Sequence, residues 1–203
     1  MRVRFATSNP HKLREAREIL EPAGFIVEGL DPTAGVPEPE EDADTFEGNA
    51  RLKAVGYARA LGERCLGEDS GLEVDALGGA PGVRSARYAG TSGTRDERDR
   101  ANNERLLAAL RGVPAAERTA RFVCAVCVAE PDGTIVAEAR GTYEGRIADA
   151  PRGTGGFGYD PLLYLPDVGC TSAELTPEAK NARSHRSAAL RALVPLLVGA
   201  RRG

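Results

Sequence analysis

The first thirty residues limit what this chain can fold into more than any other stretch. "MRVRFA" alternates and is apolar enough for a strand. After the short turn Thr7-Ser8-Asn9 comes "PHKLREAREIL", in which Leu13, Ala16, Ile19 and Leu20 form an apolar stripe at helical spacing. Ser8 or Asn9 can cap this helix, and Pro10 suits its first turn because it has no N–H to leave unbonded. Pro22 and Gly24 end it, and "FIVEGL" is a second strand candidate. A strand that runs through a tight turn into a helix must bury that helix's apolar stripe against a sheet.

The alternation continues along the chain. "TFEGNARLKAVGYARALG" carries Phe46, Ala50, Ala54, Tyr57 and Leu61 on one helical face, with Thr45 or Asp44 as cap. Cys65-Leu66-Gly67 reads as the end of a buried strand that delivers Glu68 and Asp69 into a long glycine-rich loop. "TRDERDRANNERLLAALRG" predicts a helix ending at Gly112. "TARFVCAVCVAEPDGTIVAEARGTYEG" predicts a hairpin turning at Pro131-Asp132-Gly133. "DPLLYLP" is a further short strand, and "TPEAKNARSHRSAALRALVPLLV" a helix capped by Thr176 with Pro177 at its first position. The expectation is an α/β fold with a mixed twisted sheet flanked by helices, and one domain over residues 1–203.

Composition removes several functions. A net charge of -3 argues against a large nucleic-acid surface, which is ordinarily basic. No apolar run reaches the roughly 18 residues of a membrane span, and the N-terminus lacks the apolar stretch of a signal peptide, so a cytoplasmic location is expected. Cys124 and Cys127 form a C-x-x-C inside a strand, where residues three apart face opposite sides. With Cys65 and Cys170 the chain has four cysteines, and this pair reads as reduced core cysteines, not as a zinc or redox site. Of the 27 basic residues only Lys12, Lys53 and Lys180 are lysine, which hints at places where a compact ammonium is needed.

Two glycine motifs bear on chemistry. "GTGGFG" at 153–158 matches G-x-G-x-x-G, but "YDPLLYLP" follows it and cannot start a helix, so it is no dinucleotide fingerprint. No phosphate-binding G-x-x-x-x-G-K-[ST] occurs. The loop suits either the close approach of backbone to a flat ligand, with Phe157 or Tyr159 against it, or a plain surface loop, and the spacing alone does not choose between them. The "SHR" at 184–186 reads by itself as a serine cap followed by two residues pointing outward. The paired acids Glu68 and Asp69 are the sharpest signal, because carboxylates beside a buried strand need a cation or a proton.

Taken together, "TSNPHK" (7–12), "TFEGNARLKA" (45–54), "EDSGLEVDALGGAPGVRSARYAG" (68–90), "GTGGFGYDP" (153–161) and "AELTPEAKNARSHR" (173–186) resemble the inosine triphosphate pyrophosphatase family. The resemblance implies a two-lobed fold with a cleft between the lobes. It also implies Mg²⁺-dependent hydrolysis of deaminated purine triphosphates such as ITP, dITP and XTP, and a homodimer. Thr7, Ser8, Asn9, Pro10, His11 and Lys12 would hold the triphosphate, with Lys53 adding charge. Asp69 would be acid–base catalyst and metal ligand, with Ser70 touching substrate. Glu41, with Glu40 close behind and Glu38 in the same loop, would supply the second metal carboxylate. Phe157, Gly158, Tyr159 and Asp160 would cradle the base, with Lys180, His185 and Arg186 completing its recognition. Gly48 stands where many relatives carry Glu, so neither it nor Glu47 is assigned a metal role. A related pyrophosphatase for other modified nucleotides, or a non-catalytic nucleotide-binding module, are the alternatives. The module would have no need of Asp69 with a second acid.

Overall fold

The structure is a computed structural model that describes residues 1–31 and 35–200. The polar loop expected from Asp31 onward includes residues 32–34, which lie outside the described residues. The fold is α/β. A seven-stranded mixed sheet has the order β2-β1-β3-β4-β5-β6-β7. Its strands are β1 (Arg2–Phe5), β2 (Ile26–Gly29), β3 (Cys65–Val74), β4 (Thr119–Ala129), β5 (Ile135–Ile147), β6 (Leu163–Leu165) and β7 (Cys170–Thr171). β1 pairs in parallel with β2 and β3, whereas β6 pairs antiparallel with β5 and β7. Among the described residues five α-helices accompany the sheet: α1 (Pro10–Leu20), α2 (Phe46–Leu61), α3 (Arg95–Ala109), α4 (Pro177–Arg183) and α5 (His185–Gly199). None among the described residues is long and apolar enough to cross a membrane.

The local signals account for most boundaries. Asn9 caps α1 by accepting from the His11 N–H, and α1 opens at Pro10 as expected. Thr45 caps α2 and Gly62 ends it in the left-handed conformation, φ 65°. Thr94 and Glu97 form a reciprocal capping box on α3.

Three elements depart from expectation. β3 does not end before Asp69 but runs on to Val74, so Glu68, Asp69 and Ser70 are strand residues and the glycine-rich turns begin later. The predicted helix at 176–198 is two helices, broken at Ser184, whose backbone is extended (ψ 151°). α3 stops at Ala109, three residues before Gly112.

The chain divides into two compact units. One comprises 1–69, 124–141 and 185–203, and the other 70–123 and 142–184. Each has its own core. In the first, Ala16 and Leu20 of α1 and Leu190, Leu193 and Leu197 of α5 pack with Val3, Phe5, Val27, Leu66 and Val126. In the second, Leu106 and Leu110 pack with Leu72, Tyr143, Tyr159, Leu162 and Leu163. Cys65, Cys124 and Cys127 are buried and free. Burial pushes the Cys65 and Cys127 thiols up to about 12, so they stay protonated near neutrality, as core cysteines should.

Candidate active site

Gly67 decides how the first unit's functional residues come together. A Cβ at this position would lie 2.3 Å from the Ala50 carbonyl oxygen and 2.5 Å from the Ala54 nitrogen. Only glycine lets α2 press its backbone onto β3 here. That approach brings Asn49 and Lys53, four residues apart on α2, to the two acids that follow Gly67.

Asn49 Nδ2 donates to Asp69 Oδ2 at 3.0 Å, and its own Oδ1 accepts from the Ala43 N–H at 3.0 Å. One buried amide thus orients Asp69 and pins the acidic loop to the same helix. Lys53 Nζ lies 2.8 Å from Glu41 Oε2 and 3.8 Å from Asp69 Oδ1, and donates to the Glu68 carbonyl at 3.1 Å. Two carboxylates therefore converge on one ammonium. Glu40 is exposed with no such contact, which leaves Glu41 as the loop acid beside Asp69. Glu47 is turned to Arg140 at 2.7 Å instead.

Glu68 makes a different arrangement. It is 3% exposed. Its oxygens accept from Arg186 Nε at 2.9 Å and Nη2 at 3.0 Å, and Lys12 Nζ lies 3.1 Å away. Arg186 Nη1 reaches Glu15 at 2.7 Å. Burial alone would raise the Glu68 carboxyl, but the charges of Arg186 and Lys12 outweigh it and hold it well below the usual carboxylate range. The Arg186 guanidinium is raised in turn, because its carboxylate partners outweigh the burial that would lower it. His185 and Arg186 do not point outward as the isolated "SHR" suggests. They are buried at 8% and 2% exposure, because the break at Ser184 turns α5 into the core. The turn before α1 presents the Ser8 and Lys12 N–H groups, neither of which finds an acceptor among the described residues; Thr7 and Asn9 bond within the turn.

In the second unit, residues 157–160 are held at several points. Asp160, 2% exposed, accepts from the Phe157 N–H at 2.8 Å, from Ser172 Oγ at 2.8 Å and from Lys180 Nζ. Tyr159 donates its hydroxyl to the Ser85 carbonyl at 2.8 Å. Lys180 Nζ sits 4.9 Å from the Phe157 ring centroid. The structure thus joins Lys180 to 157–160, and joins Lys12 and Arg186 through Glu68. Ser70 follows Asp69 on β3.

Sequence reasoning missed Asn49, Glu15 and the role of Glu68. An asparagine four residues before a lysine on the helix carrying the apolar face was the available signal for Asn49. The need of Glu68 for a cation was legible but its partner was not, and Glu15 carried no signal, since Arg186 lies 118 and 171 residues away.

The Ham1 family profile matches residues 3–196. A dITP/XTP pyrophosphatase of Desulforamulus reducens is 48% identical over 197 residues, covering 97% of this chain and 96% of that protein. One from Bacillus subtilis is 47% identical over 192 residues, covering 95% and 94%. Among solved structures, a HAM1 protein from Coxiella burnetii superposes with a TM-score of 0.88 at 38% identity, covering 98% of this chain and 99% of that one.

Proposed function

The chain belongs to the Ham1 family, and from that premise we propose that it hydrolyses deaminated purine nucleoside triphosphates, ITP, dITP and XTP, to the monophosphate and pyrophosphate. The relatives named dITP/XTP pyrophosphatases support the substrate class. The observation that carries the catalytic reading is the convergence of Asp69 and Glu41 on the Lys53 ammonium, with Asn49 fixing the Asp69 carboxylate. A non-catalytic binding module has no need of that pair.

Two carboxylates within 4 Å of one cation suit Mg²⁺, which prefers oxygen ligands and needs only one or two from the protein. Asp69 and Glu41 would hold it, and when bound it would offset phosphate charge and make a water easier to deprotonate. The chain's own residues do the rest. The Ser8 and Lys12 amides and the Lys12 and Lys53 ammonium groups bind the triphosphate, with Asn9 shaping the turn through its cap. Thr7, Pro10 and His11 set that turn's backbone, and Ser70 touches the substrate beside Asp69.

Water adds to the α-phosphorus while its proton passes to Asp69. The α–β P–O bond breaks, and pyrophosphate leaves with the bonding electron pair. Positioning and charge neutralisation supply most of the acceleration. Phe157 to Asp160 receive the base, with Lys180, His185 and Arg186 completing recognition. Donors facing the 6-oxo group of hypoxanthine or xanthine are left unpaired by the 6-amino group of adenine, and a buried mismatch is costly. We further propose that residues 1–203 act as one catalytic domain, in a cytoplasmic homodimer, as the family resemblance implies.

Asp69→Asn tests the assignment: turnover of ITP should vanish while the urea unfolding midpoint stays where it was. Retained turnover would remove Asp69 from its role.

A further inference from the structure

One face of α3 carries three polar residues that all serve the same short segment. Arg95, Asp99 and Asn103 recur every four residues and so share a face. The Arg95 guanidinium carbon lies 4.8 Å from the Phe157 ring centroid. Asp99 Oδ2 accepts from the Gly158 N–H at 2.9 Å. Asn103 Nδ2 donates to the Gly158 carbonyl at 3.0 Å. Both polar groups of the Gly158 peptide backbone are therefore taken by side chains one helical turn apart. Gly158 itself has φ 62°, a conformation that glycine adopts without strain and other residues rarely do.

This geometry is more than packing. Asn103 is only 9% exposed, and its Oδ1 has no hydrogen-bond partner among the described residues. A buried amide with half its capacity unused is unfavourable unless the other half does something needed. That half holds the Gly158 carbonyl. Asp160 secures the same segment from the other end through the Phe157 N–H, and Tyr159 is tied to Ser85. What the restraints leave presented is Phe157, a residue 37% exposed whose ring has Arg95 and Lys180 within 5 Å of its centroid. Gly156 reinforces the arrangement, because a Cβ there would meet Asp160 Oδ2 at 2.1 Å.

We propose that Asp99 and Asn103 are positioning residues for base recognition: they clamp the Gly158 peptide so that Phe157 is presented as a preformed stacking surface, and Arg95 steadies the ring. The inference rests on the reading of 157–160 as the base cradle. A surface ordered beforehand spares the ligand the entropy of ordering it. Loss of the clamp therefore weakens binding of the base and leaves binding of the phosphates untouched.

The test uses two inhibitors of ITP hydrolysis: IMP, which carries the base, and inorganic tripolyphosphate, which carries none. Asp99→Ala and Asn103→Ala should each raise the inhibition constant of IMP and the KM for ITP about tenfold. Inhibition by tripolyphosphate and kcat should stay near wild type. Asp99→Asn, whose amide oxygen can still accept from Gly158, should restore IMP inhibition to within about threefold. A urea unfolding curve on each variant separates a loosened segment from a damaged fold. Alanine variants that bind IMP as wild type does, or that weaken IMP and tripolyphosphate alike, would overturn the clamp. A wild-type protein that does not hydrolyse ITP would overturn the functional reading, and the clamp's role in it with it.

Discussion

Glu68→Gln removes one charge from the buried cluster and leaves its shape unchanged. In the native protein Glu68 and Glu15 face Arg186 and Lys12, two carboxylates to two cations. After the substitution Glu15 is the only carboxylate among the described residues left to the pair. Breaking a buried ion pair by neutralising one partner costs about 3–5 kcal/mol. Two features point to the lower end. Glu15 still covers Arg186, and the Lys12 side chain, 22% exposed, can turn toward water. A loss of about 3 kcal/mol is expected at neutral pH.

The pH dependence gives the loss a signature. The Glu68 carboxyl is depressed in the folded state, so its stabilisation is complete above the ordinary value of 4.5 and is lost as pH falls toward the folded value. The stability gap between wild type and variant should therefore be widest above about pH 5.5 and shrink below about pH 4.5. Urea unfolding followed by circular dichroism across that range measures it. A variant within about 0.5 kcal/mol of wild type at neutral pH would refute the reasoning, as would a gap that stays constant on acidification.

Gly67→Ala forces a methyl against two backbone atoms of α2, so the helix must move. The melting temperature should fall by about 5 °C or more, and kcat should fall with it because α2 carries Asn49 and Lys53; thermal scans and ITP turnover would show either. His185→Ala should lower the ratio of ITP to GTP turnover about tenfold. Arg186→Ala should lower the same ratio but also destabilise the fold, since it strands Glu68 and Glu15. Unchanged ratios in both variants would remove these residues from base selection. With an aqueous thiol reagent, the native protein should titrate only Cys170, the one cysteine that is not buried, and all four should react after denaturation.

What was legible in the sequence was local. Asn9 before Pro10, Thr45 before Phe46 and Thr176 before Pro177 mark helix starts through bonds made within four residues. The α/β alternation and the buried face of α2 followed from periodicity in the same way. The extent of β3 did not, because Ser70 and Gly71 look like a loop until a sheet supplies partners for them. The burial of His185 and Arg186 was hidden for a related reason. A charged pair after a serine looks solvated, and Glu68 and Glu15, far away in sequence, make burying the arginine tolerable. Nothing in the sequence marks Asp99 and Asn103, since their partner Gly158 lies more than fifty residues on. Side chains that act through distant partners carry no periodicity of their own.

Pyrophosphate release tests catalysis at Asp69 and selection of the deaminated base most directly. ITP, dITP, XTP, ATP and GTP would each be assayed with Mg²⁺ and again with EDTA. Metal-dependent release from ITP, dITP and XTP, with ATP and GTP nearly inert, is the expected result. Release from none of them while ITP still binds, or equal release from all five, would contradict it.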